Sequence, residues 1–204
     1  MQDYFAAFQL PRHLNVDLPT LEKSFYAQSR KLHPDRFVSR PASEQEAALA
    51  QSSLLNDAYR TLRDPILRTQ HLLSLEGVEL EEQSKSATEA ARATGTEKKQ
   101  LIPPELLEEV FELNMQLMEM KATKEFGDEA DPDLKRDLET AAASFNEKMA
   151  ATQRELEALW TQWDEAVDAT NQPAKDAAKQ ALVTLLNKRS YLRNLVRDVN
   201  RALQ

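Results

Sequence analysis

His33, Pro34 and Asp35 set an imidazole, a rigid ring and a carboxylate in three consecutive positions. An imidazole beside a carboxylate is the raw material of acid–base catalysis. No nucleophile or partner carboxylate is readable nearby, so a proton-transfer centre is not expected. A rigid turn between two packed helices is a good way to hold a carboxylate in the open, and His33 is expected to pack and hydrogen-bond within the loop. Lys23, Arg30 and Lys31 precede the turn and Arg36 follows it. Such like charges on a short helix could be only a solvated surface. Their grouping beside the Asp35 turn in an otherwise acidic chain favours docking, which complementary charge would steer.

Two amphipathic helices must hold this turn. Leu21, Phe25 and Leu32 lie on one face of a helix expected over 18–32. Leu55, Tyr59 and Leu62 repeat at three and four along a helix expected over 44–63. Pro34 cannot sit in a helix interior and biases His33 away from helical angles, so the break falls at the motif. A short helix from Asp3 and another over 66–76 flank the hairpin. Its expected core is Leu21, Phe25, Leu32, Ser52, Leu55, Tyr59 and Leu62, closed by Phe5, Phe8, Leu10, Leu72 and Leu73. His13 and His71 read as ordinary surface or packing residues.

Composition narrows the function classes. The chain has 204 residues, a formal charge of −8 and no cysteine. Such a charge repels phosphate backbones, so no nucleic acid is expected. Without cysteine there is neither a disulfide framework nor a thiolate metal site, which suits a reducing cytosol. No metal, cofactor or membrane span is expected, and nothing resembles a phosphate loop or a nucleophile elbow. The opening Met1-Gln2-Asp3 carries no readable signal or transit pattern; a bacterial cytoplasmic location and a monomer are further expectations.

The whole chain reads as all-α. Its three glycines, Gly77, Gly95 and Gly127, fall where helices should stop. Residues 1–76 form a first domain. Residues 77–101, poor in large apolar side chains, form a linker with a frayed helix over 83–93. Residues 102–204 form a three-helix bundle with helices over 104–123, 132–169 and 174–203. The middle helix is stripe-patterned from Leu134 and Leu138 through Phe145 and Leu156 to Trp163 and Val167. The last presents Ala178, Leu182, Leu185, Leu192, Val199 and Leu203.

The first bundle helix has one apolar stripe too many. Leu106, Val110, Leu113, Leu117 and Met120 have heptad spacing and should face the core. Leu107, Phe111 and Met118, with Met115 beside them, lie about 100° round the helix. Glu108, Glu112 and Glu119 border this second stripe. Tyr191 and Leu195 form a similar off-seam pair on the last helix. A wide core face, or packing against the linker, would explain the surplus. So would a partner site, for which apolar residues with a charged rim are the usual form.

The first 76 residues resemble the J-domain, the DnaJ-type module that stimulates the ATPase of a DnaK-type chaperone. The likeness rests on Tyr4-Phe5, Phe8-Gln9-Leu10-Pro11, the run Arg30-Lys31-Leu32-His33-Pro34-Asp35-Arg36-Phe37, and Leu55-Asn56-Asp57-Ala58-Tyr59-Arg60-Thr61-Leu62-Arg63-Asp64-Pro65. The last run, with Arg68 and the Leu72-Leu73-Ser74-Leu75 that follows, is similar to one subfamily, the HscB co-chaperones of iron–sulfur cluster assembly. The resemblance implies an all-α protein in which an N-terminal J-domain, an antiparallel helical hairpin with short flanking helices, is joined by a linker to a C-terminal three-helix bundle. It implies that His33, Pro34, Asp35, Lys23, Arg30, Lys31 and Arg36 dock on an HscA/DnaK-type chaperone ATPase. It implies further that Leu107, Glu108, Phe111, Glu112, Met115 and Tyr191 bind an IscU-type scaffold, and that the protein is not itself an enzyme. Two other readings stand beside this one: a general J-domain co-chaperone for unfolded clients, and a structural helical adaptor.

Overall fold

The computed structural model describes residues 2–78, 102–127 and 131–204. Among these, every regular element is helical and there is no strand. The order is α1 (Tyr4–Ala7), α2 (Leu18–Lys31), a 3₁₀ turn (Pro34–Arg36), α3 (Ala42–Arg63) and α4 (Pro65–Leu75). After the segment 79–101 come a second 3₁₀ turn (Pro104–Leu106), α5 (Leu107–Phe126), α6 (Pro132–Asp168) and α7 (Gln172–Leu203). The expected helix over 83–93 and most of the expected linker lie outside the described residues.

Local chemistry sets the boundaries. Asp3 caps α1 by accepting from the backbone N–H of Phe5 and Ala6 at 3.0 and 3.3 Å. Asp64 does the same for α4, from Ile66 and Leu67 at 2.8 and 2.9 Å, with Pro65 at the first helical position. α5 runs three residues past its expected end and stops where Gly127 takes a left-handed φ of 77°.

The helices group into two compact units. The first is Met1–Glu79 together with Leu159–Gln180, and the second is Leu80–Ala158 together with Ala181–Gln204. The expected domains, 1–76 and 102–204 about a linker over 77–101, differ from these units chiefly in where 159–180 falls. The end of α6 and the start of α7 belong with the first 78 residues, because Trp160, Trp163 and Ala166 are buried there.

In the first unit α2 and α3 form the expected hairpin. Leu21, Leu55 and Leu62 are buried, and Phe25 stacks on Tyr59 with ring centroids 4.2 Å apart. Leu32 and Ser52 are half-buried, while Phe5, Phe8, Leu72 and Leu73 close the core. His71 is a packing residue that also holds the start of the chain. Its ring stacks on Tyr4 at 4.3 Å, and Nε2 accepts from the Tyr4 backbone N–H at 3.2 Å. Burial pushes the His71 imidazole below its ordinary value, against the pull of Asp3. The unfolded chain therefore takes up a proton near pH 6.5 that the folded chain refuses. The stability contributed by His71 is complete above that pH and is lost as the pH falls. Thermal melts between about pH 7 and 5 should show a decline that is shallower in His71→Gln, which keeps an acceptor but does not titrate.

In the second unit Leu106, Val110, Leu113 and Met120 of the first bundle helix pack with Leu134, Leu138 and Phe145 of α6 and with Leu192 and Val199 of α7. Leu195, expected off the seam, is buried in this cluster. It stands three residues after Leu192 and four before Val199, so it completes that stripe. Leu186 rather than Leu185 is buried, for the same reason relative to Leu182. Ion pairs at 3.1 Å, Lys148 to Glu109 and Lys188 to Glu105, bind the start of the bundle to α6 and α7.

Candidate functional site

The turn after α2 is built from its own backbone. The Leu32 N–H closes α2 on the Gln28 carbonyl at 3.1 Å, and the Arg36 N–H reaches the His33 carbonyl at 3.0 Å. Pro34 opens the 3₁₀ turn, where its fixed φ is an advantage. His33 Nδ1 accepts from the Asp35 backbone N–H at 3.3 Å, so the imidazole serves the loop, as its sequence position suggests. The same nitrogen lies 3.4 Å from Asp35 Oδ2. No other contact holds the Asp35 side chain among the described residues, and it is 84% exposed. Beyond the turn, the Gln45 side chain donates to the Arg40 and Val38 carbonyls at 2.9 and 3.4 Å and ties the loop to α3.

Lys23, Arg30, Lys31 and Arg36 are all exposed. Lys23 and Arg30 are seven residues apart and share one side of α2. Tyr26 lies between them and is exposed too, which the sequence alone did not lead us to expect. The signal was present in the pair Phe25-Tyr26. Two adjacent aromatics on a helix point about 100° apart, so only one can enter the core. Phe25 does, against Tyr59, and Tyr26 joins the basic face.

The second set lies on α5. Phe111 is 71% exposed, and Leu107, Met115 and Met118 are exposed as well, whereas Leu113 is 1% exposed. The two stripes are thus separate, and the explanation of a wide core face fails. Glu108 and Glu112 are exposed alongside. Tyr191 follows Lys188 by one turn on α7, and Lys188 is paired to Glu105 at the start of the bundle. Tyr191 is half-buried against the bundle core, and burial pushes its phenol up, so it stays a neutral hydroxyl at ordinary pH.

Among the described residues no cluster of three or more His, Asp or Glu side chains could hold a metal ion, and no helix is long and apolar enough to cross a membrane.

No protein-family model matches the chain. Curated relatives do. A co-chaperone protein HscB homologue of Vibrio cholerae is 32% identical over 152 residues, which cover 74% of this chain and 74% of the relative. The homologue of Neisseria meningitidis is 34% identical over 122 residues, covering 60% and 65%. The homologue of Bordetella petrii is 37% identical over 89 residues, and that match spans about half of the relative, 52%, and 44% of this chain. Among solved structures, chaperone HscB from Vibrio cholerae superimposes with a TM-score of 0.59 at 24% identity, over 98% of this chain and 96% of that one. Human co-chaperone protein HscB gives 0.55 at 24% identity, over 98% and 81%. These two likenesses concern the fold.

Proposed function

The chain belongs to the HscB family of co-chaperones, and we propose that it serves iron–sulfur cluster assembly by delivering an IscU-type scaffold to an HscA/DnaK-type chaperone. His33, Pro34 and Asp35, with Lys23, Arg30, Lys31 and Arg36, dock on the chaperone and stimulate its ATPase. Leu107, Phe111 and Met115, rimmed by Glu108 and Glu112 and joined by Tyr191, take up the scaffold. The protein itself makes and breaks no bond. It raises the effective concentration of the scaffold at the chaperone, because two modules on one chain turn the second encounter into an intramolecular one.

The observation that carries this reading is the exposed row on α5. Large apolar side chains centred on Phe111 face outward from a helix whose other stripe already fills the core. A narrow row on a regular helix suits one folded partner better than many unfolded ones. A pull-down from cytosol tests the pairing directly, and recovery of the ATPase without any scaffold would favour the general co-chaperone reading.

The two stripes make opposite predictions. Phe111→Ala and Leu107→Ala should weaken scaffold binding by roughly 1–3 kcal/mol each and leave the melting temperature nearly unchanged. Leu113→Ala should cost about 2–5 kcal/mol of stability, as truncation in a packed core does. Tyr191→Ala should do some of both, since its ring is half inside the core. Calorimetric titration against the scaffold and thermal melts of the same variants check this. A bundle that melts with Phe111→Ala and only loses binding with Leu113→Ala would reverse the assignment.

A further inference from the structure

The chain holds no cysteine, so its five methionines are its only sulfurs. Met1 lies outside the described residues. The other four divide into two kinds. Met120 is 1% exposed in the bundle core, and Met149 is half-buried against the same core. Met115 and Met118 are 57% and 70% exposed on the outward row of α5. Steps of four, four and three residues from Leu107 through Phe111 and Met115 to Met118 keep them on one face of the helix.

Packing accounts for the first kind. A thioether fills irregular gaps in a core, and on a surface it adapts to the shape of a partner. On the outward row it is also open to solvent whenever the site is empty. The lone pair of such a sulfur attacks one oxygen of a peroxide. The S–O bond forms as the O–O bond breaks, and the sulfur gives up two electrons. The departing hydroxide takes the proton of the transferred oxygen and leaves as water. One hydrogen peroxide thus yields one sulfoxide and one water. The product is polar, and methionine sulfoxide reductases return it to the thioether.

We propose that Met115 and Met118 form a reversible oxidation site through which a peroxide weakens scaffold docking on α5. This rests on the scaffold reading of the exposed row. Met115 carries the larger share. Its neighbours one turn away on the helix are Phe111, Glu112, Met118 and Glu119. None of these side chains donates a hydrogen bond, since ionised carboxylates only accept. A sulfoxide there relies on water, and docking an apolar partner removes that water and leaves the acceptor unsatisfied. Met118 differs, because Asn114 and Lys121 stand one turn away and both carry donors. The fold is insensitive to either change, as neither side chain belongs to the core cluster.

The full chain is treated with dilute hydrogen peroxide and desalted, so that no oxidant reaches the scaffold. Peptide mass spectrometry then precedes calorimetric titration with the scaffold. Met115 and Met118 should gain oxygen ahead of Met120 and Met149. Affinity should fall about tenfold, and the two epimer-specific methionine sulfoxide reductases with a thiol reductant should restore it. Treated and untreated chains should melt together. Met115→Leu with Met118→Leu keeps the other three methionines, and its affinity after treatment should equal its own affinity before. Met115→Leu alone should remove most of the loss; a loss abolished by Met118→Leu instead would overturn the share given to Met115. Unchanged affinity of the oxidised wild-type chain would overturn the proposal and leave the scaffold reading standing. An untreated chain that does not bind the scaffold would overturn both. Equal loss in the double variant, or a loss accompanied by a melting temperature several degrees lower, would place the effect outside this pair and overturn the proposal.

Discussion

Asp35→Asn is expected to abolish stimulation of the chaperone ATPase and to leave the helical fold intact. The side chain is 84% exposed and lends the fold no contact beyond its approach to His33 Nδ1. The backbone N–H of Asp35 still has its acceptor on His33 in the variant, so the turn keeps its shape. What disappears is the charge. Removing one partner of a charge pair that is desolvated on docking costs about 2–5 kcal/mol, much of it because the other charge is left buried and unpaired. That corresponds to roughly thirty-fold or more in affinity. Lys23→Ala and Arg30→Ala should act differently. They remove rim charges, so they should slow association and flatten its salt dependence while leaving some stimulation. Circular dichroism and steady-state ATPase assays with the three variants separate these outcomes. Full stimulation by Asp35→Asn would sink the assignment of the turn to the chaperone.

What could be read from the sequence was what short-range chemistry decides. Asp64-Pro65 announces both the end of one helix and the cap of the next. The α5 row was legible because one twenty-residue helix carries two stripes and can turn only one inward. The turn at Asp35 was legible through its resemblance and through Pro34. Seam assignments on α7 were less secure. Leu185 and Leu186 compete for one groove, and whether Leu195 joins Leu192 on the seam is likewise decided only once the neighbouring helices are present. Tyr26 stayed hidden behind Phe25, whose place in the core leaves its neighbour outside. The grouping of 159–180 with the first 78 residues had no local signal. The hydrogen bonds that carry it join residues about 150 positions apart, and a carboxylate such as Asp164 in a long amphipathic helix looks like any solvated acid.

That grouping leads to the largest expected effect on stability. Trp163 is fully buried, and its indole N–H donates to the Arg12 carbonyl at 3.0 Å. One residue on, Asp164 accepts from the Leu14 backbone N–H at 2.6 Å and from the Asn15 backbone and side chain at 2.9 Å each. Leu14 is itself fully buried, so its N–H depends on this carboxylate. Trp163→Ala should therefore lower stability by about 3–5 kcal/mol, the range for emptying an aromatic site in a packed core. Trp163→Phe should keep much of the packing and lose only the hydrogen bond. Asp164→Ala should cost about 1–3 kcal/mol by leaving donors unsatisfied. Hydrogen exchange locates the damage. If the first unit is one cooperative body, Trp163→Ala will loosen the amides of α2 and α3 as well as those around Leu14. If protection falls only in α6, α7 and the Leu14 segment, the first 76 residues stand as a domain by themselves, and the hairpin that carries Asp35 needs nothing from the far end of the chain.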